Sequence, residues 1–134
     1  MSESMCDVFF YGLFMDEKVL RARGVHPRDP RRAVVPGYRL RIGRRAILVP
    51  GFGAQAMGMV FTLTDRETTS LYAEPGLEAY RPVRVMAHFE DGSCAPVVMY
   101  HHDEVAEVET DPEYAAALRS LLDRLGFRED PSSD

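Results

Sequence analysis

The stretch "DVFFYGLFMDEKVLRARG", residues 7–24, decides how the rest of the chain is read. Val8, Phe9, Phe10 and Tyr11 make a run too apolar to have a wet face, the pattern of a strand covered on both sides and so central in its sheet. Gly12 ends the run. Asp16 is then placed to cap a short helix to about Arg23, with Met15, Val19 and Leu20 on its apolar side and Gly24 as its stop. A strand that stops on a glycine frees backbone N–H groups at its end. Such a corner either only reverses the chain or cradles an oxygen that carries negative charge.

Working outward, "VHPRDPRR" (residues 25–32) reads as a loop by its two prolines. Strands then dominate. In "AVVPGYRLRIG" (33–43), Tyr38, Leu40 and Ile42 alternate with Arg39 and Arg41, a period of two. "RAILVPGFG" (45–53) is a short apolar run ended by Pro50-Gly51, and "AQAMGMVFTLT" (54–64) is another. Gly58 inside the latter marks a bulge or a close backbone approach. Asp65 is placed to cap a helix, "DRETTSLYA" (65–73), which ends near Pro75-Gly76. "AYRPVRVMAHFEDGS" and "CAPVVMYHH" form a hairpin around Asp91-Gly92. In the last helix, Asp111 caps, Pro112 fits the first turn, Leu118, Leu121, Leu122 and Leu125 share a face, and Gly126 ends it. Five or six short strands with few helices predict an α+β fold: a small mixed β-barrel or curved sheet with a few peripheral helices. With 134 residues, one domain is expected, its core at about 7–127 and a tail at 128–134.

The chain is 46% hydrophobic and 28% charged with a formal net charge of -5, an ordinary globular balance that argues against a general nucleic-acid binder. The charge is uneven. Nine arginines between Arg21 and Arg45 crowd the first third, and acidic residues dominate after Asp103. Such a run is either a solvated face or a basic rim for an anionic metabolite or partner. The polar N-terminus and the lack of a long apolar run predict a cytoplasmic protein away from membranes, with Cys6 and Cys94 as free thiols. His101 and His102 are adjacent, so in a strand they point to opposite faces and cannot chelate one ion. His26 and His88 show no ligand spacing, and no metal site is expected.

Five segments in order give the chain a resemblance to the gamma-glutamylcyclotransferase-like family. They are Tyr11-Gly12-Leu13-Phe14, where that family has Tyr-Gly-(Ser/Thr)-(Asn/Leu); Gly37-Tyr38-Arg39-Leu40; "AMGMVFTL" (56–63); "AEPGLEAYRPVRV" (73–85); and Val97-Val98-Met99-Tyr100. The match spans roughly residues 7 to 101. The departures are Leu13 and Phe14 in place of a hydroxyl or amide residue, and Pro75 directly after Glu74.

The resemblance implies a small barrel and a cofactor-independent reaction. In it, the free α-amine of a gamma-glutamyl group attacks its own side-chain carbonyl, releasing 5-oxoproline and an amine or amino acid. Glu74 is then the implied general base, six residues before Tyr80, with Glu78 as its local competitor. Tyr11, Gly12, Leu13 and Phe14 would hold the polarised oxygen through backbone N–H groups, and Tyr80 and Tyr100 would line the substrate pocket. The alternatives are a non-catalytic small-molecule-binding or regulatory module on the same scaffold, and an interaction protein that uses the arginine-rich segment. The oligomeric state is not legible.

Overall fold

The computed structural model describes residues 4–42, 46–73, 80–102 and 112–127. Five strands close into a barrel: β1 (Met5–Phe10), β2 (Arg28–Ile42), β3 (Ala46–Thr64), β4 (Tyr80–Phe89) and β5 (Cys94–His102), in the order β1-β3-β2-β4-β5. Three α-helices are described with them: α1 (Glu17–Ala22), α2 (Asp65–Tyr72) and α3 (Pro112–Leu125). β1 is central, as its composition requires. It pairs antiparallel with β3 from Met5↔Thr64 to Phe10↔Met59 and parallel with β5 at Val8↔Val98 and Phe9↔Met99. Val8, Phe9 and Phe10 are fully enclosed and join Phe61, Leu63, Val97, Met99 and Leu118 in one core.

Two expectations are corrected. Pro50-Gly51 does not end a strand, because β3 runs unbroken through it. The ladder to β2 jumps from Pro36↔Gln55 to Tyr38↔Pro50, so Gly37 alone faces residues 51–54. Gly37 (φ 91°) and Gly53 (φ 76°) take the left-handed conformations this wide bulge needs, and Pro50 stands at its margin, opposite Tyr38. The sequence shows a Pro-Gly punctuation mark in either case. The "VHPRDPRR" segment, likewise, becomes strand from Arg28 onward. A register shift between Arg28 and Arg31 takes up Pro30, and Asp29 there has φ 55°.

Arginines hold that irregular start in place. Arg31 reaches both Asp7 carboxylate oxygens (3.1 and 3.4 Å) and the Thr62 hydroxyl (3.1 Å), and Thr62 donates to Asp7 at 2.6 Å. Burial alone would raise the Asp7 pKa; the hydrogen bonds from Arg31 and Thr62, with the Arg31 charge, outweigh it and hold the carboxyl below its usual range. Arg32 sits 3.5 Å from Glu90 and 4.5 Å over the Phe127 ring, and Arg21 pairs with Glu17 at 3.8 Å. Much of the arginine-rich segment is therefore committed to counter-ions within the molecule. Arg44 and Arg45 lie outside the described residues.

The cap of α2 is Thr64, one residue before the expected Asp65. Thr64 and Glu67 form a reciprocal capping box, with Glu67 N–H donating to Thr64 Oγ1 (3.0 Å) and Thr64 N–H to Glu67 Oε1 (2.9 Å). Glu67 also accepts from His26 N–H (2.7 Å) and Arg28 (3.0 Å). Burial pushes this carboxyl up, but three donors and the Arg28 charge bring it from 4.5 down to about 2. A depressed folded pKa contributes stability above the unfolded value that is lost as pH falls through the folded one. Glu67→Ala is expected to lose about 2 kcal/mol at pH 7, the scale of hydrogen bonds to a charged group. The gap to wild type should close between about pH 4.5 and pH 2, read from urea-denaturation midpoints across that range.

α1 and α3 end alike. In α1, Gly24 N–H donates to Arg21 O and Val25 N–H to Leu20 O; in α3, Gly126 N–H donates to Asp123 O and Phe127 N–H to Leu122 O. Both glycines have positive φ, and the buried Val25 and Phe127 pin each exit to the core. The expected cap Asp111 lies outside the described residues. Leu118, Leu121 and Leu122 are buried and Leu125 is half-buried, so the predicted apolar face is the one packed on the barrel.

Candidate active site

The end of β1 opens into a cavity of about 90 Å³. The chain builds it from the strand end outward. Tyr11 donates its hydroxyl to the Tyr100 carbonyl (2.7 Å), tying the last residue before the corner to β5. Gly12 and Leu13 then open a 3-10 turn over Leu13–Met15, in which Met15 N–H donates to Gly12 O and Asp16 N–H to Leu13 O, both at 3.0 Å. The amides of Gly12, Leu13 and Phe14 precede the first acceptor this turn can offer, as at any helix start. Asp16, as expected, caps α1 by accepting from Lys18 N–H at 2.9 Å.

A side chain at Gly12 would crowd two neighbours. A Cβ there would lie 2.9 Å from the Tyr114 hydroxyl of α3 and 3.2 Å from Ala46 Cβ of β3. Two tyrosines hold that alanine: its N–H donates to the Tyr114 hydroxyl (3.2 Å), and its carbonyl accepts from Tyr80 of β4 (2.7 Å). Four separate elements thus converge on one corner.

The remaining wall is aromatic. Phe14 stands edge-on to Phe10 (5.9 Å, 86°) and to Tyr72 (5.9 Å, 87°), and the Arg23 guanidinium lies 5.4 Å above the Phe14 ring. Tyr72 lies flat against Tyr100 (3.8 Å, 8°). Burial, and secondarily the neighbouring tyrosines, push the Tyr11 and Tyr72 hydroxyls well above the usual phenol range. At neutral pH both are uncharged donors. Burial raises Tyr100 as well, with Cys6 and Asp65 adding to it.

Of the residues read from the sequence, Tyr11, Gly12, Leu13, Phe14 and Tyr80 line the cavity together. Tyr100 is not in its lining: its ring backs Tyr72 and its carbonyl anchors Tyr11. Glu74 and Glu78 lie outside the described residues. Sequence reading missed Tyr72, Tyr114, Arg23, Val19 and Ala46. Tyr114 stands four residues before Leu118, so the apolar stripe of α3 extended by one turn would have found it. Ala46 carries no local signal, since only the fold brings it to the corner; Arg23 arrives with the helix that follows the corner. His101 is engaged elsewhere, with Nε2 2.9 Å from the Leu48 carbonyl and its ring edge-on to Tyr38. Among the described residues no three His, Cys, Asp or Glu side chains gather as metal ligands.

Several known proteins share this architecture. Among solved structures, a gamma-glutamyl cyclotransferase superposes with a TM-score of 0.77 at 15% identity, covering 92% of this chain and 81% of its own. An Arabidopsis thaliana protein known from its solution structure reaches 0.68 at 23% identity, covering 93% and 91%. An AIG2-like protein from Mus musculus reaches 0.61 at 17% identity, covering 97% and 88%. At these identities the likeness is one of fold. No curated protein matches the chain. The family model described as gamma-glutamyl cyclotransferase, AIG2-like, matches residues 8–118. By that match, over most of its length, the chain belongs to the AIG2-like gamma-glutamyl cyclotransferase family.

Proposed function

We propose that this protein is a cyclotransferase that cleaves gamma-glutamyl amides by internal cyclisation. The α-amine nitrogen of the glutamyl group bonds to its own side-chain carbonyl carbon. The C–N bond to the departing amine breaks, and the two protons that the ammonium loses on becoming a lactam N–H pass in turn through a carboxylate to the leaving nitrogen, which departs as an ammonium. The products are 5-oxoproline and a free amine or amino acid, and no co-reactant enters the balance. Ring closure within one molecule is entropically favoured, so the protein has only to hold the chain folded, take a proton and stabilise an oxyanion.

One observation carries the reading: a single cavity joins the Gly12 corner to Tyr72 and Tyr80, and those two residues flank the segment that contains Glu74. The corner amides and the neutral Tyr72 hydroxyl are suited to an oxygen gaining charge, and Glu74 is the residue assigned as base. Buried aromatic walls keep water from competing with the amine. Purified protein offered a panel of gamma-glutamyl amino acids, peptides and amines should release 5-oxoproline from at least one, followed by chromatography against an active cyclotransferase as control. Binding of members of the panel without any release would establish the alternative, a small-molecule-binding module on this scaffold.

A further inference from the structure

Tyr11, Tyr72, Tyr80 and Tyr114 bring phenols to the cavity wall. Three of them are engaged with the backbone. Tyr11 donates to the Tyr100 carbonyl (2.7 Å), Tyr80 donates to the Ala46 carbonyl (2.7 Å), and Tyr114 accepts from the Ala46 N–H (3.2 Å). The Tyr72 hydroxyl has no hydrogen-bond partner among the described residues. A phenol withdrawn from bulk water without an acceptor forfeits a bond that water would have supplied, so a ligand oxygen in the cavity is its natural partner. The residue that fixes it stands outside the wall. The Tyr100 ring lies flat against Tyr72 (3.8 Å, 8°), and Phe14 meets the same ring edge-on (5.9 Å, 87°). A ring held on a face and at an edge cannot swing without giving up both contacts.

We propose that Tyr100 is a positioning residue that sorts two phenols of the site: its carbonyl engages the proton of Tyr11, and its ring holds Tyr72 so that the Tyr72 hydroxyl meets the oxyanion of the cyclising substrate. The inference rests on the cyclotransferase reading and gives a task to a residue that does not touch the substrate. Ring closure develops negative charge on the side-chain carbonyl oxygen, and a donor contributes most there if it is in place before the charge appears. A phenol free to turn would have to be ordered at that moment, and the penalty would fall on kcat. The Tyr100 hydroxyl takes no part, because its ring and its main chain do the holding.

The test offers gamma-glutamyl-alanine and gamma-glutamyl-ethylamide as substrates and reads kcat and KM separately. Tyr72→Phe should lower kcat about 10²-fold with KM within about threefold of wild type, the scale of one oxyanion donor. Tyr100→Leu removes the stacked ring and keeps the carbonyl, and should lower kcat about tenfold with a similarly small change in KM. Tyr100→Phe keeps both ring and carbonyl, and should recover all but about twofold of that loss. The double variant Tyr72→Phe/Tyr100→Leu should be no slower than Tyr72→Phe alone, because the ring acts through the hydroxyl. Thermal denaturation follows each variant, and Tyr100→Met takes the place of Tyr100→Leu if the latter does not fold. Full activity in Tyr72→Phe or Tyr100→Leu overturns the inference and leaves the cyclotransferase reading standing. So does a Tyr100→Leu loss that multiplies with that of Tyr72→Phe, falls on KM, or is shared by Tyr100→Phe. If wild type turns over neither compound, the cyclotransferase reading has failed, and calorimetric titration with 5-oxoproline decides the placement of the phenol by itself. Weaker binding in Tyr72→Phe and Tyr100→Leu but not in Tyr100→Phe supports it, and equal or absent binding refutes it.

Discussion

Gly58→Ala should be the most destabilising single-methyl change in the barrel, costing about 3 kcal/mol or more and lowering Tm by about 10 °C. A Cβ at this position would lie 2.2 Å from the Phe10 carbonyl oxygen and 2.7 and 2.8 Å from two carbons of the Phe9 ring. The first is backbone, in a strand paired on both of its edges. Phe10 faces Met59 across the β1–β3 ladder, and Phe9 pairs with Val60 on one side and Met99 on the other. Neither group can retreat without breaking ladder bonds or pushing a fully buried ring into its neighbours. Gly58 itself faces Ala33 of β2, so the extra atom would strain the seam between two pairs of strands. The contrast is Gly53→Ala, at the bulge tip, where nothing lies within 4 Å and only the positive φ opposes the change. Urea and thermal denaturation of the two variants should separate them by about 2 kcal/mol. Equal stabilities would show that the barrel seam yields more readily than a close-packed interior does.

That glycine shows what the sequence could and could not say. A glycine within an apolar strand pattern points to a bulge or to a close approach, and local pattern cannot choose between them. The structure puts the approach at Gly58 and the bulge at Gly37 and residues 51–54. The bulge was hidden because its signal, Pro50-Gly51 inside an apolar run, is also the signal of a strand end. Features written into local chemistry were legible: the apolar β1, the Asp16 cap, the leucine stripe of α3 and the Asp91-Gly92 turn. Thr64 was misread for Asp65 because both are good caps, and the reciprocal bond from Glu67 decides between them. At the site, the corner from Tyr11 to Phe14 and Tyr80 could be found because ordered motifs carried them. Ala46 and Tyr72 could not, because each reaches the cavity only through long-range packing that no spacing along the chain encodes. The same limit applies to the basic segment. Its charge looks available in the sequence, yet Asp7, Glu67 and Glu90 answer it from elements far along the chain.

Glu74→Gln should lower the rate of 5-oxoproline release by about 10² to 10⁴, the range a positioned general base contributes. The substitution keeps the shape of the side chain and removes its negative charge together with its capacity to take a proton. Substrate affinity should fall modestly with the lost pairing to the ammonium, and the larger loss should fall on kcat. Glu78→Gln is the matched control, since Glu78 is the other carboxylate within the same segment. If the large loss followed Glu78 instead, the base would have to be reassigned four residues along. If both variants turned over as wild type does, proton transfer would have to come from another group in the cavity. The enclosed tyrosines are poor substitutes as bases at neutral pH, because burial holds Tyr11 and Tyr72 firmly protonated. Tyr72 is suited to donating to the oxyanion, a role that needs the proton to stay where it is, while the Tyr11 proton is held by the Tyr100 carbonyl. The division of labour follows from this environment. An aromatic, partly dry pocket disfavours every charge it does not pair, so phenols stay neutral there, and a carboxylate placed there is stabilised by the substrate ammonium, whose proton it then takes.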